Sequence, residues 1–159
     1  MKGKEISKEL KHGQAYVRSF PGAKCNEMSH YIIPHLAERT PDAVVLHVGT
    51  NDVRTRRGQR EKSNEQIANE IIAIGRTCKS FRVNDVFISS ITYRKGFHIM
   101  KKVREVNDIL QQLCLQEAFH FILNDSIKEQ HLWEDGLHLL DVGVIILSNN
   151  IVNSLNANL

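Results

Sequence analysis

The amino-acid sequence predicts an α/β domain with one parallel sheet and helices on both of its faces. Three observations carry this. Short apolar runs at residues 43–48, at Val86-Phe87-Ile88 within 83–91, and at 119–123 have strand length or centre a strand. Longer segments between them repeat apolar residues at helical spacing. The run 43–48 is apolar at nearly every position, as in a strand covered on both sides. Strands alternating with helices make parallel neighbours, because each crossover has room for one helix.

In chain order, Ile6 to Leu10 reads as the tail of a helix, and residues 14–20 alternate like a strand before the turn pair Pro21-Gly22. From Asn26, apolar residues Met28, Tyr31, Ile32 and Leu36 mark a helix that Pro34 should kink or weaken. The strand 43–48 follows, then a charged loop from Arg54 to Lys62. Ser63-Asn64-Glu65-Gln66 can cap a helix with Ile67, Ile71, Ile74 and Cys78 in one stripe. The strand 83–91 leads into a loop with Arg94, Lys95 and Gly96, and then a helix with Val103, Val106, Ile109, Leu110 and Leu113 inward. After the strand 119–123, residues 125–136 are irregular. Asp141 can cap a last helix whose inner face holds Val144, Ile145, Leu147 and Ile151.

A chain of 159 residues suits one domain, and buries about two-thirds of its unfolded surface without a staple. Cys25, Cys78 and Cys114 are odd in number and widely spaced, which reads as free thiols in a reducing compartment. The 21 basic and 18 acidic residues leave a net charge of +3, which permits a polyanionic partner without requiring one. No run approaches the ~20 apolar residues of a transmembrane helix, and no secretory leader stands at the N-terminus, so an intracellular setting is the expectation. The eight histidines show no ligand spacing, and no metal or cofactor is expected.

Two polar stretches carry the chemistry. The strand 43–48 empties into Gly49-Thr50-Asn51-Asp52, and in open α/β sheets ligands bind beyond the carboxyl ends of strands. Downstream, Asp135-Gly136-Leu137-His138 places a carboxylate three residues ahead of an imidazole, close enough to hold Nδ1–H and leave Nε2 as a base. Glu134 is a rival orienting carboxylate. His47 reads as a hydrogen-bonded sheet histidine.

With these stretches in view, the sequence resembles the SGNH (GDSL-type) esterases and lipases, three of whose four motif blocks can be matched. Phe20-Pro21-Gly22-Ala23 resembles the block whose Gly donates a backbone N–H to the oxyanion. Gly49-Thr50-Asn51-Asp52 resembles the block whose Asn donates its side-chain amide. Asp135-Gly136-Leu137-His138 resembles the closing block, in which Asp orients and His is the general base. The wording of residues 17–23 and 46–52 is more similar still to esterase-like domains of animal non-LTR retrotransposon proteins. The resemblance implies a three-layer, flavodoxin-like parallel sheet, a small ester substrate, and a catalytic set of Gly22, Asn51, Asp135 and His138.

One block is missing: the sequence contains no Gly-Asp-Ser, the block that supplies the family's nucleophile and ends its first strand. The expectation is an N-terminally truncated domain, from a 5′-truncated reading frame or an internal start, lacking that strand and inactive for want of the serine. The sheet should then show a gap or collapse. Ser7 and Ser19 are poor substitutes, since neither has the sharp strand-to-helix turn that exposes a nucleophile, and Cys25, with nothing to lower its pKa, reads as a packed thiol. The alternative is a non-catalytic module that binds nucleic acid or protein, with Arg54, Arg56, Arg57 and Arg60 on the phosphate backbone; a solvated loop is the plainer reading of that run. A second basic set comprises Arg94, Lys95, Lys101, Lys102 and Arg104. The oligomeric state is not legible.

Overall fold

A computed structural model describes residues 8–11, 13–54 and 60–159. Its sheet has three parallel strands in the order β1 (Ala43–Leu46), β2 (Asp85–Ser89), β3 (His120–Ile122). Val44 pairs with Val86 and Val45 with Phe87; Phe87 pairs with His120 and Ile88 with Phe121. Alternation along the strands divides the apolar side chains between two cores. Val44, Leu46, Val86 and Ile88 face one, and Ala43, Val45, Phe87 and Ile122 the other.

Three helices supply the first core: α1 (Cys25–Glu38), α2 (Asn64–Ser80) and α3 (Phe97–Glu117). The fourth, α4 (Asp141–Asn158), covers the opposite face through Leu147, Ile151 and Leu155. Helix α2 begins where its cap is encoded, with the Ser63 hydroxyl accepting the Gln66 N–H at 3.1 Å. Its stripe of Ile67, Ile71, Ile74 and Cys78 is sealed from water, and each isoleucine so buried contributes about 1.5–3 kcal/mol. Helix α1 runs through Pro34, which costs it one backbone donor, and ends four residues later at Glu38. In α3, Val103, Val106 and Leu110 are fully buried, while Ile109 and Leu113 are only partly so.

Several expectations are corrected. Residues 14–20 form no strand among the described residues: Tyr16 is 64 % exposed, and the Phe20 ring stacks on Tyr31 of α1 at 5.3 Å. Alternation suits a strand, but only a partner's backbone makes one. Strand β1 stops at Leu46, two residues early, so His47 lies beyond it and bonds the Ser89 hydroxyl through Nδ1 at 3.0 Å. Leu140 rather than Asp141 is the cap residue of α4, and Ile145 is 58 % exposed while Val152 and Leu155 are buried. The first half of that helix, residues 142–147, is one unbroken run without a polar side chain, so spacing there leaves the inner face undetermined. Of the predicted helix tail before Leu10, residues 8 and 9 are helical, and Ile6 lies outside the described residues.

Among the described residues β1 is an edge strand whose one partner is β2. No helix among the described residues is long and apolar enough to cross a membrane.

Candidate active site

The loops leaving the three strands at their carboxyl ends meet on one side of the sheet, as strand direction requires when all are parallel. The first is the corner after β1. Gly49 has a φ of 99°, and a side chain there would place its Cβ 2.8 Å from Ile71 and 2.9 Å from Ile91. Only glycine fits both the backbone and the space. Its carbonyl accepts the N–H groups of Asp52 and Val53, which closes the turn and turns Asn51 outward from the core.

The Asn51 amide donates to the Ala23 carbonyl at 3.0 Å, so the corner is fastened to the Pro21-Gly22 turn from 28 residues upstream. The Gly22 N–H has no partner among the described residues, and neither does the second hydrogen of the Asn51 amide. Both segments joined by this bond therefore carry an N–H donor without an acceptor among the described residues. Asp52, beside them, is buried: its carboxylate accepts the Cys25 N–H at the start of α1 at 3.0 Å and the Lys62 ammonium at 2.7 Å. Lys62 also holds Glu70 of α2. The charged loop accordingly ends in a buried ion-pair network, and Lys62 is not the solvated side chain its neighbours suggest.

The acid–imidazole pair lies in the segment after β3. Leu132 and Leu139 form an antiparallel bridge, and inside it the Trp133 N–H donates to His138 and the Gly136 N–H to Trp133. Gly136, at φ 67°, lets this turn lie directly against Lys95. One carboxylate oxygen of Asp135 accepts the N–H groups of Leu137 and His138 at 2.9 and 3.0 Å, and the other meets His138 Nδ1 at 2.6 Å. The His138 bond first, then the two backbone donors, hold the Asp135 carboxyl down at about 2. Asp135 is therefore ionised near neutral pH and Nδ1 carries the proton. Nε2 has no partner among the described residues, and the ring is 73 % exposed. Glu134 plays no part in this bond.

The loop after β2 joins the two. Arg94 donates through Nη1 to both the carbonyl and the hydroxyl of Thr50, at 3.0 and 2.9 Å. The next residue, Lys95, donates its N–H to the Gly136 carbonyl at 3.0 Å. Two consecutive residues thus hold Thr50, beside Asn51, and Gly136, between Asp135 and His138. The sequence marked Arg94 only as one of a second basic set; the structure buries it to 4 % exposure. Burial, then the neighbouring Arg54, lowers its pKa, while Asp135 opposes the shift. Its place just past a strand end was the available signal, the same that singled out Asn51.

The remaining candidates are dispersed. Cys25 is buried with its thiol pushed up by desolvation and then by Asp52, which removes its nucleophilic character. Cys78 and Cys114 are likewise buried and raised, to about 11 and about 12. Ser19 is exposed, and Ser7 lies outside the described residues. Arg54 and Arg60 are exposed, whereas Arg56 and Arg57 lie outside the described residues. In the second basic set Lys95, Lys101 and Lys102 pair with Glu129, Glu105 and Glu61, so their charge is locally compensated. No group of three metal-ligating side chains occurs among the described residues.

No family model matches this sequence, and no curated protein is significantly similar to it. Solved structures are. The chain superposes with a TM-score of 0.77 on a GDSL-like lipase from Bacteroides thetaiotaomicron, at 16 % identity over 89 % of this chain and 75 % of the other. A catalytic mutant of the acetylxylan esterase Axe2 from Geobacillus stearothermophilus gives 0.79 at 12 % identity, covering 95 % and 77 %. An α/β hydrolase enzyme from the Lake Arreo metagenome gives 0.68 at 12 %, covering 84 % and 68 %. Identity at this level establishes the fold, which this chain shares with all three.

Proposed function

We propose that this chain carries the oxyanion-binding and acid–base parts of an SGNH-type ester hydrolase. In this reading Gly22 and Asn51 donate to the oxyanion of the tetrahedral intermediate. His138 Nε2 takes the proton of an attacking serine and returns it to the leaving alcohol, while Asp135 holds the ring by Nδ1. The serine belongs to a Gly-Asp-Ser segment that these 159 residues do not contain, so the polypeptide by itself does not turn over esters. The wording of residues 17–23 and 46–52 supports placing the domain with the esterase-like domains of retrotransposon proteins.

One observation carries the proposal: Arg94 and Lys95, adjacent in sequence, bond Thr50 on one side and Gly136 on the other, so N–H donors and an oriented imidazole share one end of the sheet. The shared fold of an esterase and a lipase adds to it. The test is to append a strand ending in Gly-Asp-Ser and assay hydrolysis of p-nitrophenyl acetate. Turnover should appear, vanish in His138→Ala, and fall about 10²–10³-fold in Asn51→Ala. A folded protein with the added segment and no turnover refutes the hydrolase assignment. Stoichiometric labelling of the unextended chain by a fluorophosphonate refutes the missing nucleophile.

A further inference from the structure

We propose that Arg94 is an anion-binding fork at this site, so that the molecule it accepts bears a carboxylate or phosphate group. What that group is attached to rests on the ester-hydrolase reading; where it binds rests on Arg94 alone.

A guanidinium offers two N–H edges, and the side-on edge formed by Nε and Nη2 is the one that receives two oxygens of a carboxylate or phosphate in its plane. Arg76 uses that edge on Glu117, with bonds of 3.1 and 2.6 Å. Arg94 does not. Both of its hydrogen bonds among the described residues leave from Nη1, and both go to Thr50. Its Nε is sealed from solvent with no acceptor, the one buried side-chain nitrogen or oxygen in that condition among the described residues.

A structural arginine buried this deeply ordinarily faces a carboxylate, since an unpaired buried charge is costly. No carboxylate lies within ion-pair distance of Arg94 among the described residues, although it is 4 % exposed. Arg54 adds a second positive charge nearby, and Asp135 is the acidic group that acts on it. Thr50 sets the guanidinium plane by gripping Nη1 twice, which leaves the two-oxygen edge oriented and unused. Preorganised donors with a charge to neutralise are the makings of an oxyanion site. The anchor is the residue next to Asn51, so the guanidinium itself is held one residue from a donor assigned to the ester oxygen. A substrate with its acidic group on the acyl or alcohol side of the ester fits this arrangement, and a neutral acetyl ester leaves the fork unsatisfied.

The experiment is an NMR titration of the full 159-residue chain, ¹⁵N-labelled, following arginine Nε–H signals at constant ionic strength. Inorganic phosphate and acetate are added separately, and exposed Arg104 is the reference. The Arg94 signal should shift saturably and at about tenfold lower anion concentration than Arg104. The stronger of the two anions tells phosphate from carboxylate. Arg94→Lys keeps the charge without the fork and should weaken the saturable binding, read from neighbouring Thr50 and Asn51 amides, by about tenfold. An Arg94 signal that stays still to about 0.1 M anion, or moves only in step with Arg104, overturns the proposal. Because no turnover enters this measurement, saturable binding in a chain that never hydrolyses esters would retain the fork while sinking the hydrolase reading.

Discussion

The two halves of the candidate site are held in opposite ways. The corner at residues 49–52 is fastened from outside itself: Gly49 is wedged between Ile71 and Ile91, Asp52 binds α1 and Lys62, Thr50 binds Arg94, and Asn51 binds Ala23. The turn at residues 133–138 is fastened mainly from within, by bonds spanning two to five residues, with its two working side chains open to solvent. Donors that must wait in place for a developing charge gain from rigid burial, because reorganisation then costs nothing during reaction. A base that collects and returns a proton needs only its ring orientation kept.

That contrast predicts a ranked set of effects. Asp52→Ala should cost about 2–4 kcal/mol in urea denaturation, because it leaves the first N–H of α1 without its buried acceptor and the Lys62 ammonium with Glu70 alone. A loss below about 1 kcal/mol would mean that the corner is not held by burial. Gly49→Ala should cost about 1–3 kcal/mol by overpacking, with the left-handed φ adding to it. Asp135→Asn should lower the denaturation midpoint less than either corner substitution, yet remove the preference for a proton on Nδ1 of His138, visible in its ring ¹⁵N shifts. A large fall in stability there would erase the contrast.

The smallest effect is in pH. The Asp135 carboxyl is held at about 2 against an ordinary 3.8, so the folded state favours its ionised form. Its contribution to stability is complete above the ordinary value and disappears as pH falls through about 2. Carboxyl ¹³C titration should find that low midpoint, and His138→Ala should raise it toward the ordinary range, since the imidazole is the main cause of the depression.

How far the site could be read from the chain follows the same division. Asp135 and His138 were legible because their contact is local: three residues and a glycine suffice to close it. Helix α2 was legible for a similar reason, its cap and apolar stripe both lying within one segment. Arg94 was not, because its partner Thr50 is 44 residues away and nothing near it in sequence marks it as buried. Residues 14–20 misled in the opposite sense, having the alternation of a strand and forming none among the described residues.

By itself the sequence determined the α/β class, the chain order of helices and strands, and the carboxylate–imidazole pair, since each depends on side-chain periods or on neighbours within one turn. Only tertiary structure decided which extended segment joined the sheet, which face of α4 turned inward, and that Arg94 and Asp52 became buried anchors. Those outcomes depend on what lies opposite a residue in space, and backbone pairing and desolvation are properties of both partners together.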